Sequence, residues 1–535
     1  MILEMKFQMV RQVNCFVVAE KGLDYLSVSA GGKTEDGRWY TGFSGTRSMP
    51  TSNLPNGCHV YLSKGIREEL APLGVSVIAS GKINSLELGE QILQEGKADL
   101  IGVSRPLLAD LTATSHLTGE KINRFTHISQ NSDDLMKKQE MTRELCQRSG
   151  RCIQRCMGID SLNGLSVVTK EIDETTGSNY YERFTNYLKW FQENDLIGNA
   201  AQTDVKGDRS LRPHQQADPD LYLRIVERRE DGIVVRGAKA HNSIAAYCDE
   251  LIVIPTRAMT PEEGDWSVAF AIPADAEGVY LISVPHVHRE RKELKAPVTE
   301  FGTMHAYAVF DNVFVPWDRV FMCGEHKFAG RLASLFALYH RHSYTGCKPA
   351  MTDVLMGTTA LVADYSGLGK VSHVRDKLAD MIAVAELVYA AGIASAVKGK
   401  RASSGTCIPD TVFANVGRYH AGVNIYHEYE TLADIAGGLA ATLPLEEDFL
   451  SPVTGKLLDK YMKRKADVPS EYVHRVYRLV ENLIASSTGA AAQISGVHGG
   501  GSPIMEKIAI SGNYDMEKRK RLARTLAGIP EEVGK

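Results

Sequence analysis

The stretch FALYHRHSYTGCK, Phe336 to Lys348, puts His340, Tyr344 and Cys347 at positions i, i+4 and i+7. At about 3.6 residues per turn, these three side chains share one face of a helix. A second pair, Cys152 and Cys156 in RCIQRC, sits one turn apart far earlier in the chain. Three thiols and an imidazole on two helix faces are enough donors to hold a metal cluster. Read singly, a histidine in an aromatic-rich helix is a core or surface residue, and two cysteines are inert buried thiols.

Around that stretch the chain reads as helical almost to its end. Residues 329–348, 350–365, 371–398, 411–440 and 471–494 have helical length and spacing, and their Ala and Gly content suits close helix packing. Residues from about 200 to 320 read as β. LYLRIVERREDGIVVRGAKAH (Leu221–His241) carries a hairpin signal at Asp231-Gly232 between two alternating runs. ELIVIPTRAM, WSVAFAIPAD, GVYLISVP and HAYAVFDNVFVP continue that pattern, which predicts a barrel or sandwich. Earlier, Ser132–Asp160 reads as one helix and the start of another, joined around Ser149-Gly150, and Asn179–Asp195 as a third. Residues 1–112 alternate strand and helix: Leu23–Gly31, Gly74–Ile83 and Ala98–Asp110 contain strands, and Ser85–Lys97 a helix. Strand-helix-strand with short loops implies parallel pairing. The expected segments are therefore 1–112 (βα), 113–199 (helical), 200–324 (β) and 325–535 (helical bundle).

Composition narrows the class. At 535 residues, 44% hydrophobic and 24% charged, the chain is an ordinary globular sequence with ample core. A formal charge of -4 argues against a general nucleic-acid binder. No run of about 18 apolar residues predicts a membrane span, and the N-terminus lacks the apolar core of a signal peptide. Nine cysteines at irregular spacing favour free thiols plus a metal site over a disulfide framework, and so a reducing, cytoplasmic setting.

Helices, β domain and bundle describe an acyl-CoA dehydrogenase-like architecture. With INRF, GDR, EDGIVVRGAKAH, VFDNVF, YHR-SY-GCK, DIAGG and HG-GSP, the chain from about Leu117 to Ile529 closely resembles the 4-hydroxybutyryl-CoA dehydratase and vinylacetyl-CoA isomerase family, a relative by fold of the 4-hydroxyphenylacetate 3-monooxygenases. The resemblance implies FAD, an acyl-CoA substrate, a homotetramer with FAD near subunit interfaces, and a [4Fe-4S] cluster on Cys152, Cys156, His340 and Cys347. It implies that Gln202, Thr203, Asp204, Lys206, Gly207, Asp208 and Arg209 form one flavin-contacting loop, and His241, Asn242 and Ser243 a second contact. Gly437-Gly438 matches a spot where flavin diphosphate approaches the backbone of a neighbouring subunit; tight helix packing is the competing reading. Cys15, Cys58, Cys146, Cys248, Cys323 and Cys407 have no counterpart and read as structural.

The implied chemistry explains the parts. C3 of a 4-hydroxyacyl thioester has no neighbouring carbonyl to acidify it. The family removes the C2 proton, withdraws one electron with FAD, and so makes C3 acidic; hydroxide then leaves C4 with an iron as Lewis acid. His340 is the expected base, Tyr344 its proton partner, and Lys348 steers the thioester or faces solvent. Four residues before VFDNVF and three before HGxGSP the family has glutamates; here stand His305 and Ser495. His305, an imidazole, is expected to replace a base. The alternative function is a flavin-dependent aromatic monooxygenase of the same fold, which needs no cluster cysteines.

Gly81-Lys82 and Ser104-Arg105 resemble the last strands of the old yellow enzyme and enoate reductase barrel, where loops hold the flavin phosphate. That resemblance covers about the final third of such a barrel, so the first segment is expected to be a partial TIM-barrel fragment.

Overall fold

The computed structural model describes residues 25–28, 60–79, 83, 86–101, 112–286, 291–300 and 303–529. The chain divides into two units: residues 1–128, 157–285 and 303–333 form the first, and residues 129–156, 286–302 and 334–535 the second.

The first unit starts with three parallel strands in sequence order, β1 (Tyr25–Val28), β2 (Ser76–Ala79) and β3 (Leu100–Ile101). Helices α1 (Val60–Leu70) and α2 (Leu86–Gln94) lie between them in the sequence, as strand-helix alternation requires. Val60, Ala79, Ile83, Ile92 and Ala98 make a small core. Three strands do not close a barrel. Gly81, Lys82, Ser104, Arg105, Cys15 and Cys58 lie outside the described residues. A short ribbon, β4 (Thr112–Thr114) with β5 (Lys121–Asn123), comes next. After it in the sequence stand α3 (Ser132–Ser149), α4 (Cys156–Thr176) and α5 (Tyr180–Glu193), of which α3 belongs to the second unit.

The Asp231-Gly232 signal is realised. β7 (Arg224–Arg228) and β8 (Gly232–Ser243) pair antiparallel across it. They join β11 (Val279–His286) and β12 (Thr303–Pro316) in a sheet of order β11-β12-β8-β7. A second sheet has order β13-β10-β9-β6, from β6 (Gly198–Ala201), β9 (Glu250–Val253), β10 (Val268–Pro273) and β13 (Val320–Cys323). Phe270 of β10 meets Phe310 of β12 edge-on at 6.1 Å, so the inner faces interlock as a sandwich. Of the two expected forms, barrel or sandwich, the β barrel is the one corrected: among the described residues the two sheets stay separate. β8 and β12 pair along most of their length, which leaves β7 and β11 as outer edges of their own sheet.

The second unit corrects the helix boundaries. The segments read as two helices, 329–348 and 350–365, form one forty-residue helix, α6 (His326–Tyr365), with Pro349 inside it. Proline has no N–H for the carbonyl four residues back, that of Thr345. The buried Gln139 amide donates to that carbonyl at 3.2 Å, and to the Tyr389 carbonyl at 2.8 Å. The helix therefore continues through the proline with the orphaned acceptor satisfied.

Helices α7 (Ser372–Val397), α8 (Thr411–Ala436), α9 (Ser470–Val480), α10 (Ser487–His498), α11 (Pro503–Asn513) and α12 (Met516–Leu526) complete the bundle. Leu355, Val362, Met381, Ile425, Leu432, Val473 and Val480 are among its enclosed core. By length and composition α7 is apolar enough to cross a membrane, with mean hydropathy 1.6, although polar residues interrupt its apolar run. Core helices of bundles meet the same test, and a Cβ on Gly392 of α7 would collide with Thr345 and Gln139.

Candidate functional site

His340, Tyr344 and Cys347 lie on one face of α6, as their spacing requires. Phe336 stacks on the His340 imidazole at 5.6 Å, and Tyr344 meets it edge-on at 6.4 Å. The partner thiols come from the chain just beyond α3. Gly150, with φ 69°, caps α3 in the left-handed conformation and turns the chain. Cys152 then lies in the connecting loop rather than on a helix, and Cys156 opens α4. Its Sγ is 3.9 Å from His340 Nδ1.

Cys152 packs against two other thiols, Cys146 and Cys347. Those contacts hold the Cys152 thiol well below its ordinary range. Burial and Cys152 push Cys146 up; Cys152 and burial push Cys347 up. Cys152, Cys156, His340 and Cys347 are thus brought together within the second unit. The sequence pattern set Cys146 aside, yet it packs with Cys347 and Cys152. Its signal was its place in the last turn before a helix-capping glycine, where the chain doubles back. Asp160, fully buried one turn beyond Cys156 on α4, was also not singled out.

Lys348 does not face solvent. Its ammonium pairs with the Glu428 carboxylate of α8, and Thr352 bonds both. Lys348 is 3% exposed and Glu428 fully buried, so each charge relies on the other. No motif marked Glu428. Tyr344 donates from its hydroxyl to the Ser495 carbonyl at 3.1 Å. Arg418, fully buried, lies 4.3 Å over the Tyr344 ring and donates to the carbonyls of Val497, Gly499 and Gly501. Arg341 donates to the Gly500 carbonyl at 2.8 Å. The glycine loop is thereby held against α6, and a Cβ on Gly500 would sit 3.4 Å from the His340 ring.

The expected flavin segments meet within the first unit. The Ala240 amide donates to the Thr203 carbonyl at 2.7 Å, and Asp204 bridges to Lys239. Asp204 is turned inward: its carboxylate holds the buried Lys239 ammonium at 2.8 Å and accepts the Leu223 amide. Burial raises the Asp204 pKa and Lys239 opposes it. Asn242 is likewise buried, donating to the Lys239 carbonyl. Gln202 donates to the Ala333 carbonyl at 3.2 Å. Gly207, at φ 54°, abuts Gln216, which also accepts the Asp208 amide. Lys206, Asp208, Arg209 and His241 are exposed, and Thr203 and Ser243 partly so. Ser243 Oγ and His305 Nδ1 lie 2.8 Å apart, directly opposite each other on β8 and β12. Partial desolvation of the ring and the nearby Lys206 charge lower the His241 pKa. In the second unit, a Cβ on Gly437 or Gly438 would meet nothing within 4 Å, so tight packing does not explain that pair.

The 4-hydroxyphenylacetate 3-hydroxylase family profiles match residues 104–322 (N-terminal) and 329–528 (C-terminal). The 4-hydroxybutyryl-CoA dehydratase/vinylacetyl-CoA-Delta-isomerase of Clostridium aminobutyricum is 43% identical over 438 residues, 79% of this chain and 89% of its own. The chain belongs to the 4-hydroxybutyryl-CoA dehydratase family. An oxygen-tolerant archaeal 4-hydroxybutyryl-CoA dehydratase from N. maritimus has the same fold, with TM-score 0.77 and 40% identity over 80% of this chain and 86% of that one. The 4-hydroxyphenylacetate 3-monooxygenase oxygenase component of Geobacillus stands further off, 28% identical over 73% of this chain and 80% of its own.

Proposed function

We propose that this chain is a lyase of the 4-hydroxybutyryl-CoA dehydratase type, converting a hydroxyacyl-CoA to an enoyl-CoA, with isomerisation of vinylacetyl-CoA as a second activity. The observation that carries this reading is the convergence of Cys152, Cys156, Cys347 and His340, in a chain 43% identical to a dehydratase of that activity. Three thiols and an imidazole fit a [4Fe-4S] cluster, with imidazole the weaker and more exchangeable donor. The partly exposed hydroxyls of Thr203 and Ser243, together with the open Gly437-Gly438 pair, fit FAD. When bound, the two groups supply one-electron chemistry and a Lewis-acidic iron.

The protein's own residues do the rest. His340 takes the C2 proton of the thioester at a ring nitrogen, and Tyr344 relays protons beside it. Lys348, held by Glu428, orients the acyl chain. His305, tethered to Ser243, serves as a second base on the flavin side. The burial of the thiols excludes water from the reacting centre. A homo-oligomer in a thiol-reducing compartment completes the reading.

Anaerobic purification with iron and flavin quantitation, followed by assay on hydroxyacyl- and enoyl-CoA esters, tests it. A brown protein holding both groups and releasing enoyl-CoA is expected. A purely yellow protein that hydroxylates phenols with added reduced flavin would transfer the chain to the monooxygenase reading.

A further inference from the structure

A buried guanidinium without a protein partner stands out in the second unit. Arg291 is 9% exposed, and its Nε and Nη2 donors have no hydrogen-bond acceptor. Leaving such donors empty in the interior is costly, so an orphan of this kind calls for a ligand. Nε–H and Nη2–H are the two parallel donors on one side of the guanidinium. That pair is the side-on fork that takes two oxygens of one oxyanion.

The surroundings are basic and already committed. Residues 292–294 run along the short helix Glu446–Leu450, where Glu446 accepts the amides of Lys292, Glu293 and Leu294. Arg475 of α9 donates to the Lys295 carbonyl at 3.0 Å and to Glu471 at 2.6 Å. Arg478 pairs with Glu481 and donates to the Pro444 carbonyl at 2.9 Å. Glu446, Glu471 and Glu481 are therefore engaged, and none of them bonds Arg291. His474, 1% exposed, turns Nε2 to the same Pro444 carbonyl at 3.1 Å and leaves Nδ1 without a partner. Burial, with the Arg478 and Arg475 charges close by, lowers the Arg291 pKa to about 10, still charged at neutral pH.

We infer that Arg291, with Arg475, Arg478 and His474 around it, is a binding site for a phosphate group, and that the phosphate is one carried by the CoA part of the substrate. The second clause rests on the dehydratase reading, which requires a CoA thioester; the first does not. A phosphate suits the fork better than the acyl end of the substrate, which brings no anion.

The test compares wild-type holoenzyme with Arg291→Gln and Arg291→Lys under anaerobic conditions. Binding of butyryl-CoA, butyryl-dephospho-CoA and butyryl-pantetheine is measured by calorimetry, together with FAD content and melting temperature. Arg291→Gln is expected to weaken butyryl-CoA by roughly ten- to a hundredfold, leaving butyryl-pantetheine and FAD content unchanged, with Arg291→Lys between. Equal weakening with the dephospho ester assigns the diphosphate; no weakening with it assigns the ribose phosphate. Loss of FAD at unchanged CoA affinity overturns the assignment to CoA. Equal loss for all three esters, or a lowered melting temperature with no change in affinity, overturns the phosphate site itself. If wild type binds no thioester, the dehydratase reading falls. Adenosine bisphosphate and inorganic pyrophosphate then decide alone: binding lost in Arg291→Gln keeps the anion site, and no binding to wild type removes it.

Discussion

Lys348 and Glu428 share one buried environment in which each charge is the other's ion-pair partner. Removing one of two buried charges leaves the other stranded, at about 3–5 kcal/mol. Glu428→Ala should therefore lower stability by that order in denaturant melts, while Lys348→Met with Glu428→Leu should recover most of it. The thiols admit an equally direct check. Cys152 packs against both Cys146 and Cys347, and these neighbours hold its thiol well below the ordinary range. On the proposed cluster reading, Cys152→Ala should lose most of the iron on quantitation; Cys146→Ala should keep it. The spacing of His340, Tyr344 and Cys347 was legible because a helix imposes a fixed angle per residue. Glu428 was not, because a lone acid in a helix carries no period and its partner lies eighty residues away. Asp204 shows the converse. It stands in a segment expected to contact flavin, yet in this fold its carboxylate neutralises Lys239.

The instructive element is α6. Pro349 reads in the sequence as a break, because a proline normally ends a helix. What keeps α6 whole is Gln139, on a helix that begins two hundred residues earlier, and no local rule links the two. Gln139→Leu should cost about 1–3 kcal/mol by leaving the Thr345 carbonyl buried and empty. Adding Pro349→Ala should restore part of it by returning the intrahelical donor. A double-mutant cycle on thermal unfolding reads the coupling. The β hairpin shows the opposite case. Asp231-Gly232 specified a turn locally, and β7 and β8 formed on either side of it. The division into two sheets depended on which distant strands paired, and the alternating pattern is the same for a barrel and a sandwich.

At the scale of the whole molecule, acidity acts through the first unit. Glu250 is fully buried on β9 with Arg319 and Tyr187 as partners. Burial outweighs Arg319 and raises its pKa from 4.5 to about 7. Between those values the folded state holds a proton that the unfolded state has released. Stability therefore falls as pH rises through this window, by about 3 kcal/mol in total for this group. Urea melts across pH 4.5–7.5 should show that decline, and Glu250→Gln should flatten it. Chelating the proposed cluster should lower the melting temperature, because whatever binds only the folded state stabilises it. The order of helices, β domain and bundle was legible from period alone. The division into two interleaved units was not, since each is assembled from separate stretches of chain.

That interleaving sets a timetable. Cys152 and Cys156 leave the ribosome long before His340 and Cys347, with which they share a unit. At synthesis rates of about 5–20 residues per second, the early thiols wait roughly 10–40 seconds for the late donors. Arg418 and Arg341 wait in turn for the carbonyls of residues 497–501 near the end of the chain. The cluster proposed for these donors would therefore be loaded onto a finished chain. During the interval before that, the early thiols are open to oxidation, so on the proposed cluster reading a reducing setting at the moment of translation would set how much of the protein can take up iron.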